Sequence, residues 1–147
     1  MPEARAAAAM HPTPPPHTLL GFDFGMRRIG AAVGQRVTGT ASALTTLNAQ
    51  DGQPDWAEVA RLIEAWKPDA LVVGLPLALD GNPTEVSRAA ERFARRLHGR
   101  FHLPVHLYDE RLSSHAAAHW GDGGARTGLD AQAARIILQD WLDSHGD

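Results

Sequence analysis

The sequence predicts an α/β fold: a mixed five-stranded sheet, three antiparallel strands followed by two parallel ones, flanked by helices. Three observations carry this expectation. Residues 19–34 (LLGFDFGMRRIGAAVG) hold two apolar runs around a tight turn at 25–28, the pattern of a buried β-hairpin. Residues 70–75 (ALVVGL) form a continuous apolar run, as expected of a strand covered on both faces. The early strands are joined by short turns alone, which suits antiparallel pairing, whereas the two later strands each follow a helix and can return parallel to the first.

The remaining elements follow in order. Residues 1–18 are rich in alanine and proline (HPTPPPH at 11–17), lack core periodicity and read as a disordered tail, with Met10 an alternative start; the folded domain is then 19–147. Residues 38–47 are rich in β-branched side chains and read as the third strand, and 48–54 as a turn-forming loop. Asp55 opens a helix, with Glu58 placed as in a capping box; Trp56, Val59, Ile63 and Trp66 recur at helical spacing, and Pro68 ends it. After the strand at 70–75 and a loop at 76–81, Asn82 is expected to cap a second helix, with Pro83 at its first position and Glu85 completing the cap. That helix would bury Val86, Ala89, Ala90, Phe93 and Leu97 and end at Gly99. Residues 105–108 read as the last strand. A short helix is expected from Ser113 or Ser114 to about Trp120, then a glycine-rich loop at 121–128. Asp130 would cap a final helix that buries Ala134, Ile137, Leu138 and Trp141. Trp56, Trp66 and Trp141 all read as core residues.

Composition narrows the function classes. A chain of 147 residues with 44% hydrophobic residues can bury one proper core. The absence of cysteine excludes disulfides, thiolate metal sites and a cysteine nucleophile, and fits a cytoplasmic protein. No apolar run approaches the ~20 residues needed to cross a bilayer, and Arg5 followed by four alanines is too short for a signal peptide. A net charge of −3 does not advertise nucleic-acid binding, so any electrostatic footprint must be local.

The acids are the informative residues. Asp23 interrupts an apolar run, and a carboxylate buried there needs a partner, because an isolated charge costs several kcal/mol or more. It either caps the hairpin turn or serves as a metal or phosphate ligand on a central strand. Ligands of such sheets bind at strand ends, where Asp23, Asp109 and Glu110 fall. Neighbouring strand residues face opposite ways, so only one of the last two can join Asp23. Asp130 can approach the same edge, although it also reads as a simple helix cap, and Glu110 as a surface partner of Arg111 or Arg28. Three converging carboxylates repel unless a cation neutralises them, and oxygen-only ligation favours Mg²⁺ or Mn²⁺.

Four blocks in one order, GFDFGMRRIGAAVG, VVGLPLALDGN, YDERLSS and LDAQAARIILQDWL, resemble an RNase H-fold family described first as Holliday-junction resolvases and later as pre-16S rRNA nucleases. The resemblance runs from about Leu19 to Leu142. It implies an RNase H-like fold and a divalent-metal site built from Asp23, Glu110 and Asp130, which would serve as both catalytic and metal-binding residues. It also implies a metal-activated water attacking phosphorus in line, leaving a 5′-phosphate and a 3′-hydroxyl. The chain departs from the family at Met26, commonly threonine, and at Arg126, Thr127 and Gly128, where a lysine-containing stretch is usual. Asp140 and Asp143 are therefore kept as alternative third ligands.

Arg27, Arg28 and Arg111 lie close to this site in sequence and are expected to contact phosphates. Arg88, Arg92, Arg95, Arg96 and Arg100 give the second helix a basic flank, either a phosphate track or a solvated face interleaved with Glu85 and Glu91. His115 and His119 share a helical face but lack the glutamate of a metalloprotease motif, and neither a P-loop nor a kinase glycine loop is present. The expectation is a metal-dependent nuclease maturing the 5′ end of precursor 16S rRNA. The alternatives are a resolvase of branched DNA and a non-catalytic RNA-binding ribosome-assembly factor; a sugar-kinase-like ATPase is a distant third, since it normally needs two such domains. Expected partners are precursor rRNA or branched DNA and ribosomal particles, with no membrane, and the chain acting as a monomer or homodimer.

Overall fold

A computed structural model describes residues 17–78, 80–110 and 129–145. The tail at 1–16, the helix expected near 113–120, the glycine-rich stretch at 121–128, and Arg111, His115 and His119 lie outside the described residues.

The first hairpin pairs β1 (Thr18–Asp23) with β2 (Arg28–Gln35), and β3 (Thr40–Gln50) continues the meander. His17 and Thr18 are already part of this body, both donating backbone N–H to Asp69 Oδ2 at 2.9 and 3.1 Å. The stretch at 48–54 is not a plain loop. β3 runs on to Gln50, turns at Asp51 and Gly52, and pairs with a two-residue strand β4 (Gln53–Pro54). Asp51 and Gly52 both have positive φ, 52° and 80°. That is the two-residue turn an Asp-Gly pair favours, because its twist matches the flanking strands. Completed by β5 (Ala70–Leu75) and β6 (Val105–Asp109), the sheet has six strands rather than five, in the order β4-β3-β2-β1-β5-β6. β1, β5 and β6 are parallel, as expected.

Alternation along the strands divides the core in two. Leu20, Phe22, Ile29, Ala31, Leu71 and Val73 point to one face. There they meet Val59 of α1 (Trp56–Trp66) and Ala90, Phe93 and Leu97 of α2 (Glu85–Phe101). Leu19, Ala32, Ala70 and Val72 point to the other face, against Ala134, Ile137, Leu138 and Trp141 of α3 (Leu129–Ser144). Phe93 joins the first core through ring contacts with Phe22, Phe24 and Trp56, at 5.7, 5.4 and 5.7 Å between centroids.

Helix ends hold four corrections. Asp55 caps α1 as expected, but it accepts from the Ala57 N–H and Glu58 does not close a capping box with it; Lys67 ends the helix in the left-handed region before Pro68. The cap of α2, however, is Thr84 and not Asn82. Thr84 Oγ1 accepts from the Ser87 N–H and Ser87 Oγ from the Thr84 N–H, a reciprocal box with serine in the place usually held by glutamate. Asn82 instead donates to Asp80. At the other end α2 passes Gly99 and stops at His102, because Phe101 beyond the glycine packs into the core beside Trp56. Asp130 lies inside the first turn of α3 rather than before it.

Two expected core residues are not buried: Trp66 is 40% exposed at the end of α1, and Val86 is 36% exposed in the first turn of α2. Burial therefore predicts unequal sensitivity. Phe93→Ala should cost about 3–5 kcal/mol in urea denaturation, the range for emptying an aromatic core site, and Trp66→Ala a small fraction of that.

Candidate active site

Asp23 ends β1, and the strand register sets what stands beside it. One row across the sheet reads Thr46, Gly30, Asp23, Gly74, Tyr108, from β3 to β6. The row faces α3, since Gly21, two residues before Asp23, lies against Leu138. Asp23 thus has a glycine on each side. A Cβ added at Gly30 would lie 1.8 Å from the Asp130 carbonyl oxygen, so the first turn of α3 sits directly on the β2 backbone. A Cβ added at Gly74 would lie 3.1 Å from Glu110 Cγ and 3.2 Å from its Oε2, so the Glu110 side chain lies over that position. These two bare positions let carboxylates from two other segments come up to Asp23.

Two other acids act on Asp23. Burial, then the charges of Glu110 and Asp130, push the Asp23 carboxyl well above the usual carboxylate range. Of Asp109, the last residue of β6, and Glu110 after it, it is Glu110 that shares the face of Asp23, two residues beyond Tyr108 in the α3-side core, as alternation requires. Arg28 opens β2 and turns to Asp130, with Nε 3.2 Å from Oδ2. That oxygen is buried and makes no hydrogen bond, so the contact is an ion pair out of hydrogen-bond alignment. Thr46 Oγ1, on the same row, is also buried with no hydrogen-bond partner among the described residues. Arg27 is exposed in the β1–β2 turn, its carbonyl accepting from the Ala49 N–H.

The alternative third ligands are placed elsewhere. Asp140 lies ten residues along α3 from Asp130, about 15 Å at helical rise, and its charge acts on Tyr108. Asp143 accepts from Gln139 Nε2 near the far end of the same helix. Sequence reasoning missed Gly30 and Gly74. Their signal was present, as a glycine inside a strand often marks a close backbone approach.

Oxygen-only donors with excess negative charge suit a hard divalent cation, and the charges of Glu110 and Asp130 add to burial in raising the Asp23 carboxyl. As arranged, with Asp130 turned to Arg28, no three histidine or acidic side chains among the described residues surround a common point at ligating distance. The donor set suits such an ion, and Asp23, Glu110 and Asp130 are the residues that would hold it.

An acid whose proton affinity is raised by folding binds more protons in the native than in the unfolded chain. Stability from this group therefore falls as pH rises from the ordinary value of 3.8 through the raised one, and the cost is complete above it. Asp23→Asn should raise the melting temperature at pH 7 and leave it unchanged below about pH 3, as followed by circular dichroism.

Comparison with known proteins agrees with this architecture. A family model described as "RuvX: Holliday junction resolvase" matches residues 17–144. A protein of Azotobacter vinelandii, provisionally named pre-16S rRNA nuclease, is 55% identical over 133 residues, covering 86% of this chain and 94% of the relative. One of Pseudomonas putida with the same provisional name is 55% identical over 136 residues, covering 86% and 95%. Among solved structures, T. thermophilus RuvC in complex with a Holliday junction substrate superposes with a TM-score of 0.53 at 16% identity, covering 87% of this chain and 94% of that one. At that identity the likeness speaks for the fold, the RNase H-like α/β arrangement that the sequence blocks implied. Matched over nearly its whole described length, the chain belongs to the RuvX family.

Proposed function

We propose that this chain is a divalent-metal-dependent nuclease that hydrolyses phosphodiester bonds, and that its substrate is the 5′ end of precursor 16S rRNA. The observation that carries the reading is the meeting of Asp23, Glu110 and Asp130 at one end of the central strands, where Gly30 and Gly74 leave room for them. The names of the curated relatives support the substrate.

Asp23, Glu110 and Asp130 would hold Mg²⁺ or Mn²⁺. Such an ion, when bound, lowers the pKa of water and stabilises the leaving oxygen of a phosphodiester. The chain's own residues do the rest. Packing on both faces holds the Asp23 carboxylate at the end of β1. Arg28 keeps Asp130 folded against the site and neutralises part of its charge. Arg27, exposed in the adjoining turn, and Arg111, which follows Glu110, contact substrate phosphates as bidentate cations. The protein works in the cytoplasm on rRNA in pre-ribosomal particles.

The family description favours a second reading, resolution of four-way DNA. Cutting two strands would call for a dimer with paired sites. Cleavage of end-labelled precursor 16S rRNA and of a four-way DNA junction, with Mg²⁺, Mn²⁺ or EDTA, separates the two. The nuclease reading expects metal-dependent RNA cleavage, reduced on the order of 100-fold or more by Asp23→Asn and by Glu110→Gln, the scale for losing one electrostatic group in a reaction centre. Symmetric junction nicks without RNA cleavage would favour the resolvase. RNA binding without any cleavage would leave an assembly factor.

A further inference from the structure

We infer that the outer face of α2 is a second nucleic-acid contact, a row of arginines that grips the phosphate backbone of the substrate away from the carboxylates. The helix carries Arg88, Arg92, Arg95, Arg96 and Arg100 against Glu85 and Glu91, a surplus of three positive charges (five less two) in a chain whose net charge is −3. At about 100° per residue, Arg88, Arg92 and Arg95 fall within roughly 60° of one another, opposite the buried face of Ala90, Phe93 and Leu97. All three are exposed.

Opposite charges three or four residues apart on a solvated helix face are placed to form ion pairs. Here that does not happen. Arg88 and Arg95 stand three and four residues from Glu91, yet among the described residues the ion pairs are Arg28–Asp130 and Lys67–Glu64. None of the five arginines is paired with a carboxylate among the described residues. Arg100 alone is engaged, its guanidinium 4.3 Å from the Trp56 ring centroid. Unpaired guanidiniums in line on a rigid, capped helix match a polyanion with regularly spaced charges.

Placement gives the row its direction. β5 ends at the sheet edge that carries Asp23, and the loop after it feeds α2, so Arg88 is the arginine nearest that edge. From Arg88 to Arg95 the helix then runs about 10 Å away from it. The α2 face of the sheet is opposite the α3 face on which the carboxylates meet. A substrate bound at the edge would thus bend over it and continue along α2. The choice of nucleic acid as the ligand rests on the nuclease reading of the site.

The test is binding of labelled RNA spanning the 5′ end of precursor 16S rRNA, in EDTA, by fluorescence anisotropy across a salt series. R88Q/R92Q/R95Q should weaken binding at least tenfold and reduce the slope of log affinity against log salt by about 2, since each phosphate contact contributes ~0.7–0.9. R88K/R92K/R95K should recover most of the slope. Unchanged circular dichroism melting in the glutamine variant separates lost contacts from lost fold. Wild-type affinity and slope in that variant would overturn the row while leaving the carboxylate site intact. Loss of slope alongside a wild type that cuts nothing would keep the row and remove the nuclease reading. No RNA binding by the wild type would overturn the row, with cleavage judging the site separately.

Discussion

Like charges held close together by packing are the constraint on which this site depends. A carboxylate at the end of a buried central strand is costly, and a second and third beside it raise the cost further. The chain accepts this because the backbone leaves no choice. Asp23 is fixed by its pairings with Gly30 and Gly74, the first turn of α3 rests on Gly30, and Glu110 lies over Gly74. Side chains at either glycine would push the other acids away and relieve the repulsion. Their absence keeps the acids close and the repulsion in place.

The same device extends along α3. A Cβ on Gly21 would meet Leu138 Cβ at 2.9 Å, and one on Gly34 would meet Leu138 and Leu142 at 3.0 Å. Glycines on β1, β2 and β5 thus let one helix lie unusually close to the sheet over its length. Gln139 ties it further, accepting from the Ala41 N–H and donating to the Gly39 carbonyl, which locks α3 to the turn between β2 and β3. Position along α3 is set by these contacts, and the depth of Asp130 over Gly30 follows from them. Stability and site geometry therefore share one interface, whereas α1 and α2 build a separate core on the other face.

Much of this was legible in the residues. The hairpin of β1 and β2, the buried run of β5, the parallel return of β6 and the buried stripe of α3 follow from periodicity and connection length, and the structure has them. What escaped was local. The Asp51–Gly52 turn signal was present, but a two-residue strand leaves no pattern to read, so the sixth strand went unseen. The box formed by Thr84 and Ser87 was hidden because serine replaces the expected acid and Asn82–Pro83 offers a plausible competitor. Trp66 and Val86 sit at helix ends, where the apolar stripe outruns the surface that could cover it. At the site, strand-end placement and the family resemblance brought out the acids but not why they can meet. That reason lies in Gly30 and Gly74, whose importance appears only once register makes them neighbours of Asp23.

The measurement that tests the central claim most directly is anomalous diffraction from crystals of the wild-type protein grown with Mn²⁺. The account predicts a peak within coordinating distance of carboxylate oxygens of Asp23 and Glu110, at the end of β1 and β6. No peak at this edge of the sheet at saturating Mn²⁺, with the ion pair of Arg28 and Asp130 intact, would contradict it and leave the three acids a structural cluster.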